Sequence, residues 1–129
     1  MNLSNELHYP AILHSSLVVG DLNLALKFYC GTLNMPLADN RPDLGFDGAW
    51  LQLGNQQIHL MVLPNPDPVH PRPQHVGRDR HTAIQVNNLA GLKTALEQAG
   101  IFYTESKSGR GAVFCRDPDG NGLEFIQPA

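Results

Sequence analysis

Four side chains able to bind a metal ion occupy matching places in the two halves of the chain. The segment His14–Leu22 aligns without gaps with His81–Leu89, 67 residues further along. Near the end of each half, His59 aligns with Glu124 once a difference in hairpin length is allowed for. Imidazole and carboxylate together suit Zn, Ni, Co, Fe or Mn, whereas Mg and Ca prefer oxygen ligands alone. The pattern predicts a metal site formed by His14, His59, His81 and Glu124.

Each of these residues also has an ordinary structural interpretation. A single histidine on a strand is more often a hydrogen-bonded structural group than a ligand, and a glutamate between Leu123 and Phe125 usually faces solvent. Unrelated surface residues, however, have no reason to recur at equivalent places in two halves. The repetition therefore favours the metal site.

Each half places its histidine at the start of a predicted strand. Leu17 and Val19 alternate with His14, and Ile84 alternates with His81, at the period of two that is typical of strands. In both strands the histidine lies on the face opposite the aliphatic side chains.

Two amphipathic helices are predicted after these strands. Asp21 and Asn88 stand at positions typical of helix N-caps. Apolar residues with helical spacing follow the caps: Leu22, Leu26, Tyr29 and Leu33 in the first half, and Leu89, Leu92, Leu96 and Ala99 in the second.

A β-hairpin is predicted to complete each half. The turns are Gly54–Asn55 and Asp117–Asn121. The strands are predicted at 48–53 with 58–62 and at 111–116 with 123–126, and shorter strands are predicted near 35–38 and 102–105. If the helices cover one face of a curved sheet, the metal-binding side chains converge on the opposite, concave face.

The chain of 129 residues is expected to form a single α+β domain, large enough to bury a core without disulfides. Module 1 is predicted at 11–63 and module 2 at 81–127. The connector at 64–80 contains five prolines, which is typical of a semi-rigid link.

The composition argues against several classes of partner. Nine Lys and Arg against twelve Asp and Glu give a net charge of -3, with no basic cluster for binding nucleic acid. No apolar run approaches the ~18 residues of a membrane span, and the N-terminus lacks a signal-peptide pattern. Cys30 and Cys115 have apolar neighbours and are expected to be buried thiols, which predicts a cytoplasmic protein.

Two residues are candidates for substrate binding. Trp50 shares its strand parity with Gln52 and is a candidate platform on the concave face, with a place in the core as the alternative. Arg110 is the candidate for binding a substrate carboxylate, with simple solvation as the alternative. His70 and His75 lie in the connector and are expected to be solvated, although a role for His75 at the rim of the site stays open.

Together these residues resemble the vicinal oxygen chelate superfamily, which includes glyoxalase I, bleomycin-resistance proteins and extradiol dioxygenases. The resemblance rests on Leu13–Leu22, Phe28–Tyr29 with Leu33, Arg80–Ala83, and Phe114–Phe125. It implies two βαβββ modules forming an open, eight-stranded mixed β-barrel around a divalent metal ion, zinc or nickel first, with iron, cobalt or manganese as alternatives. It also implies a homodimer, and leaves open whether modules pair within one chain or across two.

The resemblance implies a glyoxalase-I-like lyase or isomerase acting on a small molecule. Substrate oxygens would chelate the ion, Glu124 would remove a proton from the carbon beside a carbonyl, and the metal would stabilise the enediolate; glutathione is a candidate thiol cofactor. His59 stands where glyoxalase I usually has glutamate, so the site would be more positive and the substrate is left open. The alternatives are an iron-dependent ring-cleaving dioxygenase using His14, His81 and Glu124, a ligand-sequestering protein of the bleomycin-resistance type, and a fosfomycin-type thiol transferase.

Overall fold

The first half folds into a strand, a helix and a hairpin, as predicted. The structure is a computed structural model that describes residues 6–129. In this half β1 spans His14–Val19, α1 spans Leu22–Leu26, a π-helical segment continues over Lys27–Thr32, and β2 and β3 span Gly48–Leu53 and Gln56–Val62.

The second half repeats this order with one additional strand. A short 3-10 turn at Val76–Arg78 precedes β4 (His81–Gln85), α2 (Leu89–Gln98), β5 (Tyr103–Glu105), β6 (Ala112–Arg116) and β7 (Gly122–Ile126). The first-half counterpart of β5 is a single bridge between Leu37 and Leu51. Pro36 beside it has no backbone N–H to extend a ladder.

The strands form two mixed sheets, which confirms the α+β class. Their orders are β1-β3-β2 and β4-β7-β6-β5, with β1 parallel to β3 and β4 parallel to β7. The seven strands within residues 6–129 are thus divided between the two halves, three in the first sheet and four in the second. Both β1 and β4 are outer strands, so each presents a backbone edge without a strand partner in the described chain.

Both helices begin at the predicted caps. Asp21 Oδ1 accepts a hydrogen bond from the Leu24 N–H at 3.1 Å, and Asn88 Oδ1 accepts one from the Gly91 N–H at 2.9 Å. These bonds satisfy backbone donors that have no partner inside the helix.

The first helix is wider than an α-helix after its first turn. The Leu33 N–H donates to the Phe28 carbonyl at 2.9 Å, a step of five residues that is typical of π-helix. Both Phe28 and Tyr29 are buried in this segment. The helix predicted from apolar spacing is therefore present, with a different hydrogen-bond pattern in its second half.

The larger apolar core joins the two halves on the helix-facing side of the sheets. Its buried members include Tyr29, Leu51, Ile58 and Leu60 from the first half, and Leu92, Leu96, Val113, Leu123 and Phe125 from the second. The apolar faces of the helices and strands thus pack into one cluster, and the burial of these side chains stabilises the domain.

Asp117 organises the turn between β6 and β7 and ties it to the first helix. The N–H groups of Asp119 and Asn121 donate to Asp117 Oδ1 at 2.8 and 2.9 Å. The buried Tyr29 hydroxyl donates to Asp117 Oδ2 at 2.7 Å. Burial raises the pKa of the Asp117 carboxyl, and the hydrogen bonds from Asn121 and Tyr29 oppose that rise.

The connector is fixed to the second sheet by an ion-paired cluster. Asp79 Oδ2 accepts hydrogen bonds from Arg72 Nε and Arg116 Nη1, both at 2.9 Å. The hydrogen bonds from Arg72 and Arg116 hold the pKa of the Asp79 carboxyl well below its usual range. The Pro-rich segment therefore has a defined position against β6.

The two cysteines are free thiols, as expected, but only Cys115 is fully buried, whereas Cys30 is half-buried. Burial raises the pKa of the Cys115 thiol to about 12. Within residues 6–129 no helix has the length and apolarity that crossing a membrane requires.

Candidate metal centre

Three aromatic rings stack on one face of the first sheet. His59 on β3 lies opposite Trp50 on β2 and beside β1, which carries His14. The His59 ring lies 4.0 Å from the Trp50 ring, with 5° between the planes, and 4.0 Å from the His14 ring, with 16° between the planes. The sheet thus brings two of the predicted ligands, His14 and His59, together and holds the His59 ring between the rings of Trp50 and His14.

His59 also has a polar neighbour that the sequence did not single out. His59 Nε2 lies 2.8 Å from Gln57 Oε1. Burial, followed by the charges of His14 and Arg41, lowers the pKa of the His59 imidazole. A lower pKa favours the neutral ring, which is the form that binds metal ions. Gln57 lies two residues before His59 on the same face of β3, and this alternation is the signal that would have identified it.

The second sheet holds the other two predicted ligands in direct contact. Glu124 on β7 is 3% exposed, and its Oε1 lies 3.0 Å from His81 Nε2. Arg110 Nη2 donates to the other carboxylate oxygen, Oε2, at 2.6 Å. The Phe114 ring packs edge-on against the His81 ring with 5.7 Å between centroids. The buried carboxylate is therefore held between the guanidinium of Arg110 and the imidazole of His81.

The hydrogen bonds of His81 fit the role of a metal ligand. His81 Nδ1 lies 2.8 Å from the backbone oxygen of Asp79, and a carbonyl oxygen only accepts, so Nδ1 carries the proton. A backbone partner of this kind is typical of metal-binding histidines. It leaves the lone pair on Nε2, which is then the nitrogen able to bind a metal ion. Nε2 faces Glu124 Oε1 at 3.0 Å, so these two residues would hold a divalent cation together.

The four predicted ligands form two pairs within the chain. His14 lies with His59, and His81 lies with Glu124. In the part of the chain that the structure describes, no three His, Cys, Asp or Glu side chains are grouped closely enough to hold a metal ion. A site with all four residues is therefore not present within residues 6–129 of a single chain.

The contact between the outer strands explains why the pairs are separate. Ser15 on β1 and Thr82 on β4 share a hydrogen bond of 2.9 Å, although these strands are not neighbours in one sheet. Successive side chains of a strand point to opposite faces. His14 and His81 therefore lie on faces that point away from this contact.

The remaining candidates have distinct positions. Trp50 lies on the same face as the histidine pair, and Arg110 lies against Glu124. His75 is half-buried: its Nδ1 lies 2.7 Å from Thr104 Oγ1, and its ring packs edge-on against Phe114. The expectation that His75 is simply solvated is therefore wrong, whereas His70 is exposed as expected.

A groove of about 1000 Å³ lies between the two modules, beside the outer strands. Apolar side chains dominate its walls, including Ile12, Leu33, Met35, Ile84, Leu92 and Phe125. His14 and His81 border the groove, whereas His59 and Glu124 do not. The groove therefore adjoins one residue of each ligand pair.

The sequence profile of the Glyoxalase/Bleomycin resistance protein/Dioxygenase superfamily matches residues 11–125. The chain belongs to this superfamily. The match covers both modules and the connector, which agrees with the resemblance found in the sequence.

Two relatives match over most of the chain. A protein named Glyoxylase I 4 from Arabidopsis thaliana is 29% identical over 127 residues, which cover 94% of this chain and 72% of the relative. Lactoylglutathione lyase of Haemophilus influenzae is 28% identical, covering 90% of this chain and 91% of the relative. Both names support a lyase-type branch of the superfamily.

Solved structures share the fold. A protein of Bacillus anthracis assigned to the glyoxalase family superimposes with a TM-score of 0.79 at 24% identity, covering 96% of this chain and 99% of that one. This similarity establishes the architecture.

Proposed function

We propose that this protein is a divalent-metal-dependent lyase or isomerase of the glyoxalase type. Its substrate is a small molecule with two neighbouring oxygens, from which a proton is removed at the carbon beside a carbonyl. The observation that carries the proposal is Glu124, a buried carboxylate in contact with the predicted ligand His81. The names of the two relatives support the reaction class and make thiol adducts, glutathione among them, the first substrates to test.

The proposed site contains residues from two copies of the chain. Within one chain β1 and β4 already meet through the hydrogen bond between Ser15 and Thr82, and the two ligand pairs lie on the faces that point away from this contact. Packing the face with the histidine pair of one copy against the face with the His81–Glu124 pair of a second copy would complete the four-residue site.

The donor set suits a borderline divalent ion. Three imidazoles and one carboxylate match zinc or nickel first, with iron, cobalt or manganese as alternatives. One negative ligand leaves the ion with a net positive charge, since only Glu124 offsets its two charges. Such an ion supplies Lewis-acid stabilisation to negative charge that develops on substrate oxygens.

The side chains of the chain carry out the proton transfer and orient the substrate. Glu124 is the proposed general base; it is buried on β7 opposite Phe114 of β6, which limits the access of water to the carboxylate. Arg110 neutralises Glu124 in the metal-free protein and becomes available to an anionic substrate group once Glu124 is engaged elsewhere. Trp50 provides a flat apolar surface beside His59 for the substrate. The free thiols support a cytoplasmic location.

A mixed dimer tests whether the site is shared. We would co-express His59→Ala and Glu124→Gln chains with different affinity tags and isolate dimers that carry both tags. A shared site leaves one position with all four residues intact in each mixed dimer, so metal content and turnover should return to about half of the wild-type value. A site contained in one chain would give no recovery, and failure to isolate any mixed dimer would contradict the proposed dimer.

Elemental analysis of protein purified without added metal, followed by two assays, tests the reaction class. Proton exchange at the carbon beside the carbonyl of a hemithioacetal supports the lyase or isomerase. Oxygen uptake with a catechol would instead support the ring-cleaving dioxygenase. Tight binding of a ligand with no bound metal and no turnover would support the ligand-sequestering alternative.

A further inference from the structure

A directed series of side-chain amides runs from the β2–β3 turn to His59. Gln52 Nε2 lies 2.8 Å from the backbone oxygen of Gly54 and 3.4 Å from that of Gln56. Because carbonyl oxygens only accept hydrogen bonds, the NH₂ group of Gln52 must face the turn. Its Oε1 therefore faces the opposite way, along the sheet.

The orientation of the Gln52 amide determines that of the Gln57 amide. Gln57 Nε2 lies 2.7 Å from Gln52 Oε1 and 3.2 Å from Asn40 Oδ1, so the Gln57 NH₂ group donates to both. Gln57 Oε1 is left facing His59 Nε2 at 2.8 Å. An amide oxygen only accepts, so the proton of this bond is on His59 Nε2. In the neutral ring the lone pair is then on Nδ1.

Stacking prevents the ring from exchanging its two nitrogens. Trp50 covers one face of His59 and His14 covers another, each with 4.0 Å between ring centroids. A half-turn about the Cβ–Cγ bond passes through an orientation perpendicular to both neighbours, and there is no room for it between rings so close. The ring plane is thus set by stacking and the proton position by Gln57.

We propose that Gln57 is a positioning residue that fixes His59 as the Nε2–H tautomer, so that His59 offers Nδ1 to the ion of the proposed site. The choice of nitrogen rests on the proposed function, because it requires a metal. The tautomer itself does not, because it follows from the amide series alone. Outer-shell partners of this kind set the basicity and orientation of a ligand.

The first experiment uses the metal-free protein with nitrogen-labelled histidine. Two-dimensional NMR distinguishes the tautomers by which ring nitrogen carries the proton, and we expect the His59 signals to show a proton on Nε2. Gln57→Glu keeps an acceptor and should keep this tautomer. Gln57→Lys presents only a donor and should move the proton to Nδ1, whereas Gln56→Lys adds the same charge on the other face and should not. If His59 of the wild-type protein carries its proton on Nδ1, or if the proton stays on Nε2 in Gln57→Lys, the assignment is overturned.

The second experiment loads the labelled protein with NMR-active cadmium. We expect scalar coupling between cadmium and His59 Nδ1; coupling to Nε2 would overturn the proposal. Gln57→Met should weaken cadmium binding by about 10–100-fold, and Gln56→Met should change it by less than about twofold. If the wild-type protein binds no cadmium while the Nε2–H tautomer is observed, the proposed function fails and the role of Gln57 in fixing His59 stands.

Discussion

Ser15 and Thr82 are equivalent residues of the two halves, 67 positions apart, and they share a hydrogen bond of 2.9 Å. The contact therefore holds the first strands of the two halves, β1 and β4, against each other. The predicted ligands lie as two pairs, His14 with His59 and His81 with Glu124, on faces that point away from this contact.

Replacing Glu124 with Gln should abolish proton exchange at the substrate carbon while keeping part of the metal binding. Glutamine retains an oxygen donor and removes the base, so exchange should fall by about 10²–10⁴-fold. Exchange measured in deuterated buffer tests this. Glu105→Gln, at an exposed residue paired with Lys93, is the matched control. An unchanged exchange rate in Glu124→Gln would remove this residue from the role of base.

Replacing Arg110 with Gln should tighten metal binding by at least about tenfold. The guanidinium contacts Glu124 Oε2 at 2.6 Å and competes with any cation for that carboxylate. Lys107→Gln removes the same charge from the same loop without that contact and should change the affinity by less than about twofold. Titration with a competing chelator measures both. Weaker binding in Arg110→Gln would show that the arginine instead holds Glu124 in its ligand position.

Replacing Tyr29 with Phe should lower the free energy of unfolding by about 1–3 kcal/mol, because the buried Asp117 carboxylate loses a donor at 2.7 Å. Tyr103→Phe removes a hydroxyl that bonds Glu97 at the surface and should cost less than about 0.5 kcal/mol. Urea denaturation gives both values. Equal losses in the two variants would contradict the assigned role of Tyr29.

The ion-paired cluster of the connector should contribute to the pH dependence of stability. The hydrogen bonds from Arg72 and Arg116 lower the pKa of Asp79 in the folded protein. A carboxyl with a lowered folded pKa stabilises the protein above its unfolded pKa, and that contribution disappears as the pH falls through the folded value. The free energy of unfolding should therefore decrease as the pH falls below about 4.

The variant Asp79→Asn should be less stable at neutral pH by about 1–3 kcal/mol and should lose less stability on acidification. Asp67→Asn is the control, because Asp67 pairs with Arg80 at a site where both side chains are more than half exposed. Unfolding curves recorded between about pH 2 and 7 test the difference. Parallel pH profiles for wild type and Asp79→Asn would contradict it.

Local features of the fold were predictable because each depends on a few neighbouring residues. The caps Asp21 and Asn88, and the turn organised by Asp117, follow from side-chain oxygens that satisfy nearby backbone N–H groups. The π-helical segment was not predictable. It depends on how Phe28 and Tyr29 fit a core contributed by both halves, and apolar spacing alone does not encode that fit.

The pairing of His14 with His59 and of His81 with Glu124 was predictable from alternation along the strands. The separation of the two pairs was not, because it depends on how one sheet faces the other. His75 shows the same limit: its place against Phe114 is set by the connector, which is held through Asp79 by bonds to Arg72 and Arg116. Long-range contacts of this kind leave no periodic signal in the sequence.

Trp50 is the only tryptophan of the chain, and its indole lies face to face with His59. Indole emission responds to the group on which the ring is stacked, so the tryptophan fluorescence of this protein originates at the histidine pair. Any species that draws the His59 ring away from the indole will change the intensity of that light. Cations and small molecules can therefore be screened optically on the unlabelled protein, before any substrate has been identified.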